Sequence, residues 1–145
     1  MVAIPGGLLR QIVAHAAGEP AREVCGVVLA RNGAARSIRV VRNISDQPAS
    51  RYVMHPVDFE RAARSGELFA IYHSHIDRDA MPSRADERGA FLPGGGIAFP
   101  SVYYLIVSLT HEPTVRAWLL AETVGGIEAT EELVEAWRDE PAETE

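Results

Sequence analysis

The segment Glu67–His75 constrains the fold of this chain more than any other. Apolar and histidine side chains fill both sets of alternate positions, and alternate positions on a strand face opposite sides of a sheet. Strict alternation puts Leu68, Ala70 and Tyr72 on one face and Phe69, Ile71, His73 and His75 on the other. A strand with apolar residues on both faces is covered on both sides, so this one is expected at the centre of its sheet.

The segments around this strand have the patterns of helices and further strands. Apolar spacing predicts a helix over Gly6–Ala17, and Pro56 and Ser83 mark the starts of two more, which end near Arg64 and Phe91. Strands are predicted over Val24–Ala30, Ser37–Val41, Tyr52–Met54, Val102–Leu109 and Thr114–Ala121, with a tight turn at Asn32-Gly33. The pattern does not distinguish strand from helix over Ile127–Trp137. Helices beside a mixed sheet indicate an α/β or α+β fold.

Composition argues against several classes of protein. The chain has 145 residues, 47% hydrophobic and 23% charged, which is typical of one globular domain. We expect that domain over residues 1–137 and a flexible acidic tail over residues 138–145. A net charge of −6 without a basic cluster argues against nucleic acid and membrane partners. No apolar run approaches the ~20 residues of a membrane helix, no signal peptide is recognised, and a single cysteine, Cys25, suits a reducing cytoplasm.

The histidines at the end of the central strand form a candidate metal site. His73 and His75 lie two positions apart, so both imidazoles leave the same face with their Cα atoms roughly 6.6–6.8 Å apart. Two unrelated polar residues at a strand end are the simpler interpretation of a bare His-x-His. Here the pair ends a strand buried on both faces, where imidazoles without partners cost free energy. Shared coordination of one metal ion would satisfy both rings.

The next segment offers a third ligand. Ser83 and Asp86 lie three residues apart at the predicted helix start, which is the spacing of a capping box. Alternatively, the chain turns after His75 and Asp86 returns its carboxylate to complete a His-His-Asp site. The two interpretations are partly compatible. Glu23, just before the strand Val24–Ala30, would by itself be interpreted as a solvated charge.

Taken together, these residues resemble the signature of the JAMM (MPN+) zinc metallopeptidases, a family also called Mov34/JAB. That signature is a glutamate, then far downstream His-Ser/Thr-His, seven residues, Ser, two residues and Asp. It is matched without any departure in spacing by Glu23, His73, Ser74, His75, Ser83 and Asp86. The resemblance extends from about Ile4 to Trp137. Glu23-Val-Cys-Gly and Tyr72-His-Ser-His are similar to the small prokaryotic branch that hydrolyses sulfur-carrier-protein–cysteine adducts.

The resemblance implies a fold and a mechanism. The fold would be a curved mixed sheet flanked by helices, related to that of the cytidine deaminases. His73, His75 and Asp86 would hold one Zn²⁺, Glu23 would act as general base and acid, and Ser83 would donate a hydrogen bond to the oxyanion. The substrate would be a peptide or isopeptide bond after the C-terminal Gly-Gly of a small ubiquitin-like or sulfur-carrier protein. Release of cysteine from a carrier adduct would be one such reaction.

Several alternatives stay open beside this interpretation. The enzyme could act on short free peptides, or the chain could be a non-catalytic MPN-type binding module. A nucleophilic Cys25 is disfavoured because it lies inside an apolar strand. The other histidines, His15, His55 and His111, have no ligand spacing and are expected to be surface or structural residues. The glycine-rich loop Pro93–Pro100 is expected to cover the substrate groove, and a homodimer is compatible with the sequence.

Overall fold

The computed structural model describes residues 1–90 and 98–137, with the exception of the Trp137 side chain. Its helices are α1 (Gly6–Gly18), α2 (Pro56–Arg64) and α3 (Arg84–Gly89). Its strands are β1 (Val2–Pro5), β2 (Cys25–Arg31), β3 (Ala34–Val41), β4 (Glu67–His75), β5 (Tyr103–Ser108), β6 (Thr114–Thr123), β7 (Gly126–Glu132) and β8 (Val134–Trp137). The predicted acidic tail and most of the predicted Pro93–Pro100 cover lie outside the described residues.

Six of the strands form one mixed sheet in the order β3-β2-β4-β5-β6-β7. Strands β4 and β5 are parallel, and their other neighbours in this sheet are antiparallel. Strand β4 therefore lies inside the sheet, which confirms the expectation from its two apolar faces. A separate parallel pair joins β1 to β8. The mixed α+β class predicted from the sequence is confirmed.

Helices cover both faces of the large sheet. Leu8, Ile12 and Ala16 of α1 pack on one face, in a buried cluster that includes Ala70 and Tyr72 of β4. Ala62 of α2 belongs to the cluster on the opposite face. The α1 spacing produces this packing because residues four apart lie on the same side of a helix. Both faces of β4 are consequently covered.

The face assignment near the start of β4 was wrong for two residues. Leu29 pairs with Leu68 and Val28 with Ala70, so a bulge at Phe69 interrupts the ladder. Phe69 packs against the cluster beside α1, whereas Leu68 packs against the opposite cluster. An extra residue in one strand shifts the alternation by one position, and hydrophobic patterning does not reveal where that happens. Alternation holds beyond the bulge, where it positions the histidines.

Two other local predictions have clear outcomes, and one segment left undecided by the sequence is resolved. Asn32 and Gly33 both adopt positive φ, at 53° and 80°, which confirms the tight turn between β2 and β3. The segment Ile127–Trp137 is strand, divided between β7 and β8. The strand predicted over Tyr52–Met54 is wrong, since only an isolated bridge between Asn43 and Met54 forms there. Among residues 1–90 and 98–137, no helix has the length and apolar content needed to cross a bilayer.

Candidate active site

The end of β4 and the start of α3 bring three potential metal ligands together. His73 Nε2 and His75 Nε2 lie 3.1 Å apart. Asp86 Oδ2 lies 3.1 Å from each of those nitrogens. Both histidines are 1% exposed, so these atoms converge inside the protein rather than in solvent. The spacing on β4 and the turn into α3 thus place the three predicted ligands in one group that could bind a metal ion.

The capping box of α3 orients the carboxylate in this group. The backbone N–H of Ser83 donates to Asp86 Oδ2 at 2.8 Å, and Ser83 Oγ accepts from the backbone N–H of Asp86 at 3.1 Å. The capping box and the approach of Asp86 to the two histidines therefore occur in the same arrangement. The cap holds the aspartate in the rotamer that faces the histidines. Because Ser83 Oγ accepts in the cap, its own O–H remains available as a donor.

Glu23 reaches the same site through the pairing of β2 with β4. Cys25 pairs with His73, and Val24 is held to Ser74 by two hydrogen bonds, one to its carbonyl and one from its N–H to the serine hydroxyl. This register brings Glu23 to the end of β4 that carries His75. The side chain is fully buried rather than solvated. The middle serine of His-Ser-His thus ties the glutamate strand to the histidine strand.

The loop over residues 43–54 encloses Glu23 from the other side. The Glu23 N–H donates to the Pro48 carbonyl at 2.6 Å, and the Asn43 side chain donates to the Glu23 carbonyl at 2.8 Å. The Arg78 guanidinium donates to Glu23 Oε2 at 2.9 Å. Glu23 Oε1 is buried without a hydrogen-bond partner among the described residues. One carboxylate oxygen is therefore anchored and the other is free to accept a proton.

Four contributors to the site were not identified from the sequence. Tyr52 stacks on His73 with ring centroids 4.2 Å apart, and Asn43 and Arg78 contact Glu23. The Asp79 carbonyl accepts from His75 Nδ1 at 2.7 Å, although the Asp79 side chain is exposed. None of these residues has a motif spacing to the ligands, since loops bring them in. The only sequence signal for Arg78 and Asp79 was their position between His75 and Ser83.

Burial and neighbouring charges shift the pKa values of the site in different directions. Desolvation raises the pKa of Glu23, and the nearby histidines and Arg78 offset this only in part. Burial opposes ionisation of Asp86 too, but His73, His75 and the Ser83 amide outweigh it and hold the Asp86 pKa well below its usual range. Burial lowers the pKa of His75, yet hydrogen bonds with Asp86 and the Asp79 carbonyl raise it overall. Glu23 is therefore the better proton acceptor and Asp86 the better permanent anion.

The three converging atoms fit a tetrahedral zinc ion. Ligands about 2.0–2.1 Å from zinc and at tetrahedral angles are roughly 3.3–3.4 Å apart, close to the 3.1 Å edges seen here. The Asp79 carbonyl can only accept, so His75 Nδ1 carries the proton and His75 Nε2 presents a lone pair. Two neutral imidazoles and one carboxylate are also the donor set of a catalytic zinc site, which keeps a coordination position for water.

The rival interpretation of Cys25 as a nucleophile finds no support in this geometry. Cys25 is fully buried, and its thiol donates to the Val41 carbonyl at 3.3 Å. Burial, followed by the charge of Glu23, raises the pKa of that thiol to about 12. Asp77 and Asp79 are exposed and do not belong to the ligand group.

His55 has the expected structural role, because its Nδ1 accepts the Asp58 N–H at the start of α2. His15 is half-buried and bonded to the Tyr72 hydroxyl at 2.7 Å, so it is structural rather than simply a surface residue.

An apolar cleft opens beside the metal-ligand group. Its volume is about 380 Å³, and Asp86 forms part of its wall. Aromatic side chains supply much of the remaining lining, among them Tyr52, Phe59, Phe99 and Tyr104. A substrate chain that reaches Asp86 could therefore place an apolar group in this cleft.

Comparison with known families identifies the family and the fold. A model of the prokaryotic homologues of the JAB domain matches residues 5–121. The chain belongs to this family. The match includes the end of β4 and the start of α3, and thus every residue of the candidate site. The resemblance inferred from the motif is confirmed.

Three curated proteins illustrate relatives of this JAB chain. It is 33% identical over 111 residues to the desampylase of Haloferax volcanii, which covers 71% of this chain and 74% of that protein. It is 33% identical over 92 residues to the "Probable TtuB-protein conjugate cleaving protease" of Thermus thermophilus, covering 60% of this chain and 62% of that protein. It is 40% identical over 76 residues to tail tip assembly protein K of Escherichia phage N15, covering 52% of this chain. The chain spans 31% of the phage protein, less than a third of its length. Two of the three names indicate hydrolases.

Solved structures show the same JAB architecture. A protein of Desulfitobacterium hafniense matches with a TM-score of 0.72 and 23% identity over 96% of both chains. A protein of Salinibacter ruber matches with a TM-score of 0.59 and 25% identity over 98% of this chain and 94% of that one. A JAB1/MPN domain protein of Archaeoglobus fulgidus matches with a TM-score of 0.55 and 18% identity over 92% of this chain and 98% of that one. These likenesses establish the fold and carry no statement about substrate.

Proposed function

We propose that this chain is a zinc-dependent hydrolase that cleaves the peptide or isopeptide bond after the C-terminal Gly-Gly of a small ubiquitin-like or sulfur-carrier protein. Release of cysteine from a carrier adduct is one such reaction. The observation that carries the proposal is the meeting of His73 Nε2, His75 Nε2 and Asp86 Oδ2 at 3.1 Å from one another. The buried Glu23 carboxylate with one free oxygen completes the set. The names of the Haloferax and Thermus relatives support this substrate class.

The proposed reaction is a hydrolysis in which the C–N bond breaks and one water molecule is consumed. When held by His73, His75 and Asp86, Zn²⁺ would supply Lewis acidity that can lower the pKa of water to about 7. Glu23 accepts a proton from the attacking water through Oε1 and returns it to the departing amine. Ser83 turns its O–H toward the carbonyl oxygen as negative charge develops there. The carrier leaves with a carboxylic acid, and the other product leaves as an amine.

The test compares two glutamate variants of the zinc-loaded protein. Glu23→Gln should keep its zinc, measured by elemental analysis, and lose roughly 10²–10⁴-fold in turnover because the amide cannot take a proton. Glu19→Gln is the matched control, since Glu19 is an exposed glutamate four residues away at the end of α1. It should leave turnover unchanged. A Glu23→Gln protein that still turns over would refute the mechanism.

The choice of substrate separates the proposed function from its alternatives. A carrier–cysteine adduct and an unrelated peptide are offered side by side, and the products are measured by mass spectrometry. We expect the adduct to be cleaved faster. Faster cleavage of the peptide would instead favour an enzyme for short free peptides. Binding of the carrier without cleavage by the zinc-loaded protein would favour a non-catalytic module.

A further inference from the structure

Arg78 uses one nitrogen of its guanidinium, Nη2, for hydrogen bonds within the protein. Its Nη2 donates to Glu23 Oε2 at 2.9 Å and to the Ser50 carbonyl at 3.1 Å. Its Nε and Nη1 have no hydrogen-bond partner among the described residues, and the side chain is 38% exposed. A guanidinium has five N–H donors in a rigid planar fork. Several donors next to the buried Glu23 carboxylate therefore remain available to a ligand.

The backbone around Arg78 is held in place. The hydroxyls of Ser108 and Thr110 both donate to the Arg78 carbonyl, at 2.6 and 3.2 Å. The carbonyl of Ala80, two residues after Arg78, accepts from the Trp118 indole N–H at 2.9 Å. The parallel pairing of β4 with β5 brings Ser108 beside the loop after His75. The guanidinium is thus presented from an anchored loop and loses little freedom when it binds an anion.

The contact with Glu23 places Arg78 on the side of the site where the amine departs. Glu23 returns a proton to the leaving nitrogen, so this nitrogen must come within hydrogen-bond distance of the Glu23 carboxylate. In a C-terminal amino acid, the carboxylate carbon lies only about 2.5 Å from that nitrogen. The Arg78 side chain is 38% exposed beside Glu23, so a ligand at this position can approach its unused N–H groups. A carboxylate there can accept a charge-assisted hydrogen bond from Nη1 or from Nε.

Charge makes this contact selective. Glu23 is anionic when it accepts a proton, so it repels a further carboxylate brought close to it. Arg78 compensates for that repulsion beside Glu23. An isopeptide bond to a lysine side chain has a long methylene chain at the leaving nitrogen and no carboxylate close to it. The same arginine therefore gives no comparable stabilisation to an isopeptide conjugate.

We infer that Arg78 is a specificity-determining residue that binds the free α-carboxylate of the residue released by hydrolysis. This inference rests on the proposed function and narrows it. The favoured substrate is a carrier extended beyond Gly-Gly by one amino acid with a free carboxylate, rather than a carrier joined to a lysine side chain.

The test uses three substrates that share one carrier and differ only after Gly-Gly. The first ends in a single amino acid with a free carboxylate, the second in the same amino acid as a primary amide, and the third in an isopeptide-linked lysine derivative. For the zinc-loaded wild type, we expect kcat/KM to be about 10- to 100-fold higher for the acid than for the amide, as for a hydrogen bond between charged groups. The isopeptide substrate should behave like the amide.

The Arg78→Gln variant should bring the acid-to-amide ratio close to one. The loss of the Glu23 contact will slow both substrates, but this effect cancels in the ratio because both depend on Glu23. Arg78→Lys keeps the charge but changes the donor geometry, so it should give an intermediate ratio. Arg39→Gln is the matched control, because Arg39 is an exposed arginine on β3, and it should keep the wild-type ratio.

The outcomes separate the inference from the proposed function. A wild-type ratio near one, or an Arg78→Gln variant that keeps the wild-type ratio, would overturn the role of Arg78 and leave the hydrolase intact. If the wild type cleaves none of the three substrates, the proposed function itself fails and the inference fails with it. If Arg78→Gln does not fold, the wild-type and Arg78→Lys ratios still decide the question.

Discussion

The Ser83 amide donates to the same oxygen of Asp86, Oδ2, that lies 3.1 Å from both histidine Nε2 atoms. A helix cap thus also sets the direction of a proposed metal ligand. The reciprocal bond, from the Asp86 N–H to Ser83 Oγ, leaves the serine proton unused. Ser83 belongs to both the start of α3 and the candidate active site. A change at Ser83 should therefore affect stability through the helix cap and turnover through the hydroxyl.

Replacement of Ser83 by Ala should lower the free energy of unfolding by about 1 kcal/mol, because α3 loses its side-chain cap. It should also lower kcat by roughly 10²–10³-fold, because the oxyanion loses a donor. Chemical denaturation and steady-state kinetics measure the two effects. Ser83→Thr retains a hydroxyl and should show neither loss. An unchanged kcat in Ser83→Ala would show that the hydroxyl does not take part in turnover.

Zinc should stabilise the folded protein through His73, His75 and Asp86. At a free concentration one hundred times Kd, a ligand specific for the folded state adds about 2.7 kcal/mol. For a chain of this size, we expect a rise in Tm of roughly 5–15 °C when zinc is added to chelator-treated protein. Differential scanning calorimetry measures the shift.

Two variants make the zinc experiment specific. His75→Ala removes a ligand and should abolish the shift. Asp79→Asn alters an exposed carboxylate in the neighbouring loop and should keep it, because Asp79 contacts His75 only through its backbone carbonyl. An equal shift in His75→Ala would place the zinc elsewhere.

Gly26 should be intolerant of any side chain. A Cβ at this position would lie 2.4 Å from the Tyr72 ring and 2.6 Å from the Arg39 carbonyl. Tyr72 is fully buried, so its ring has little room to yield. We expect Gly26→Ala to lower the free energy of unfolding by roughly 1–3 kcal/mol, measured by urea denaturation.

The control for Gly26 is Gly89→Ala at the end of α3. A Cβ there meets no atom within 4 Å among the described residues. In a helix, alanine is favoured over glycine by about 0.5–1 kcal/mol, so this variant should be neutral or slightly stabilised. Equal destabilisation of both variants would mean that the Tyr72 contact is not the cause.

Cys25 should make the protein less stable in alkaline solution. Burial raises the pKa of its thiol from 9.0 to about 12 in the folded state. Below the unfolded value both states hold the proton, whereas between the two values only the unfolded chain ionises. Relative to Cys25→Ala, wild-type stability should therefore fall with rising pH, by up to about 1.4 kcal/mol per pH unit.

Urea denaturation of both proteins under reducing conditions, from neutral pH to about pH 11, measures this difference. The difference in the free energy of unfolding between the two proteins should stay constant below the pKa of the Cys25 thiol in the unfolded chain and change above it. Other buried groups titrate in the same range, but they are present in both proteins and cancel. Curves that stay parallel throughout would contradict the raised pKa. Cys25→Ala should also keep its turnover, since the proposed reaction uses no thiol.

The sequence by itself determined the features that depend on near neighbours in the chain. The α1 stripe, the Asn32-Gly33 turn, the strand Glu67–His75 and the helix start at Ser83 each follow from local sterics and hydrogen bonding. The motif spacing also anticipated which ligand side chains would meet, because two-residue periodicity and a capping box both specify direction.

Only the tertiary structure decided the features that depend on distant segments. The bulge at Phe69 and the pairing of β1 with β8 follow from how whole strands fit together in the core. Arg78 reaches Glu23 across 55 residues of sequence, because Ser108 and Thr110 hold its loop beside the end of β5. The free energy of such contacts arises from packing between segments brought together only on folding, so no local pattern encodes them.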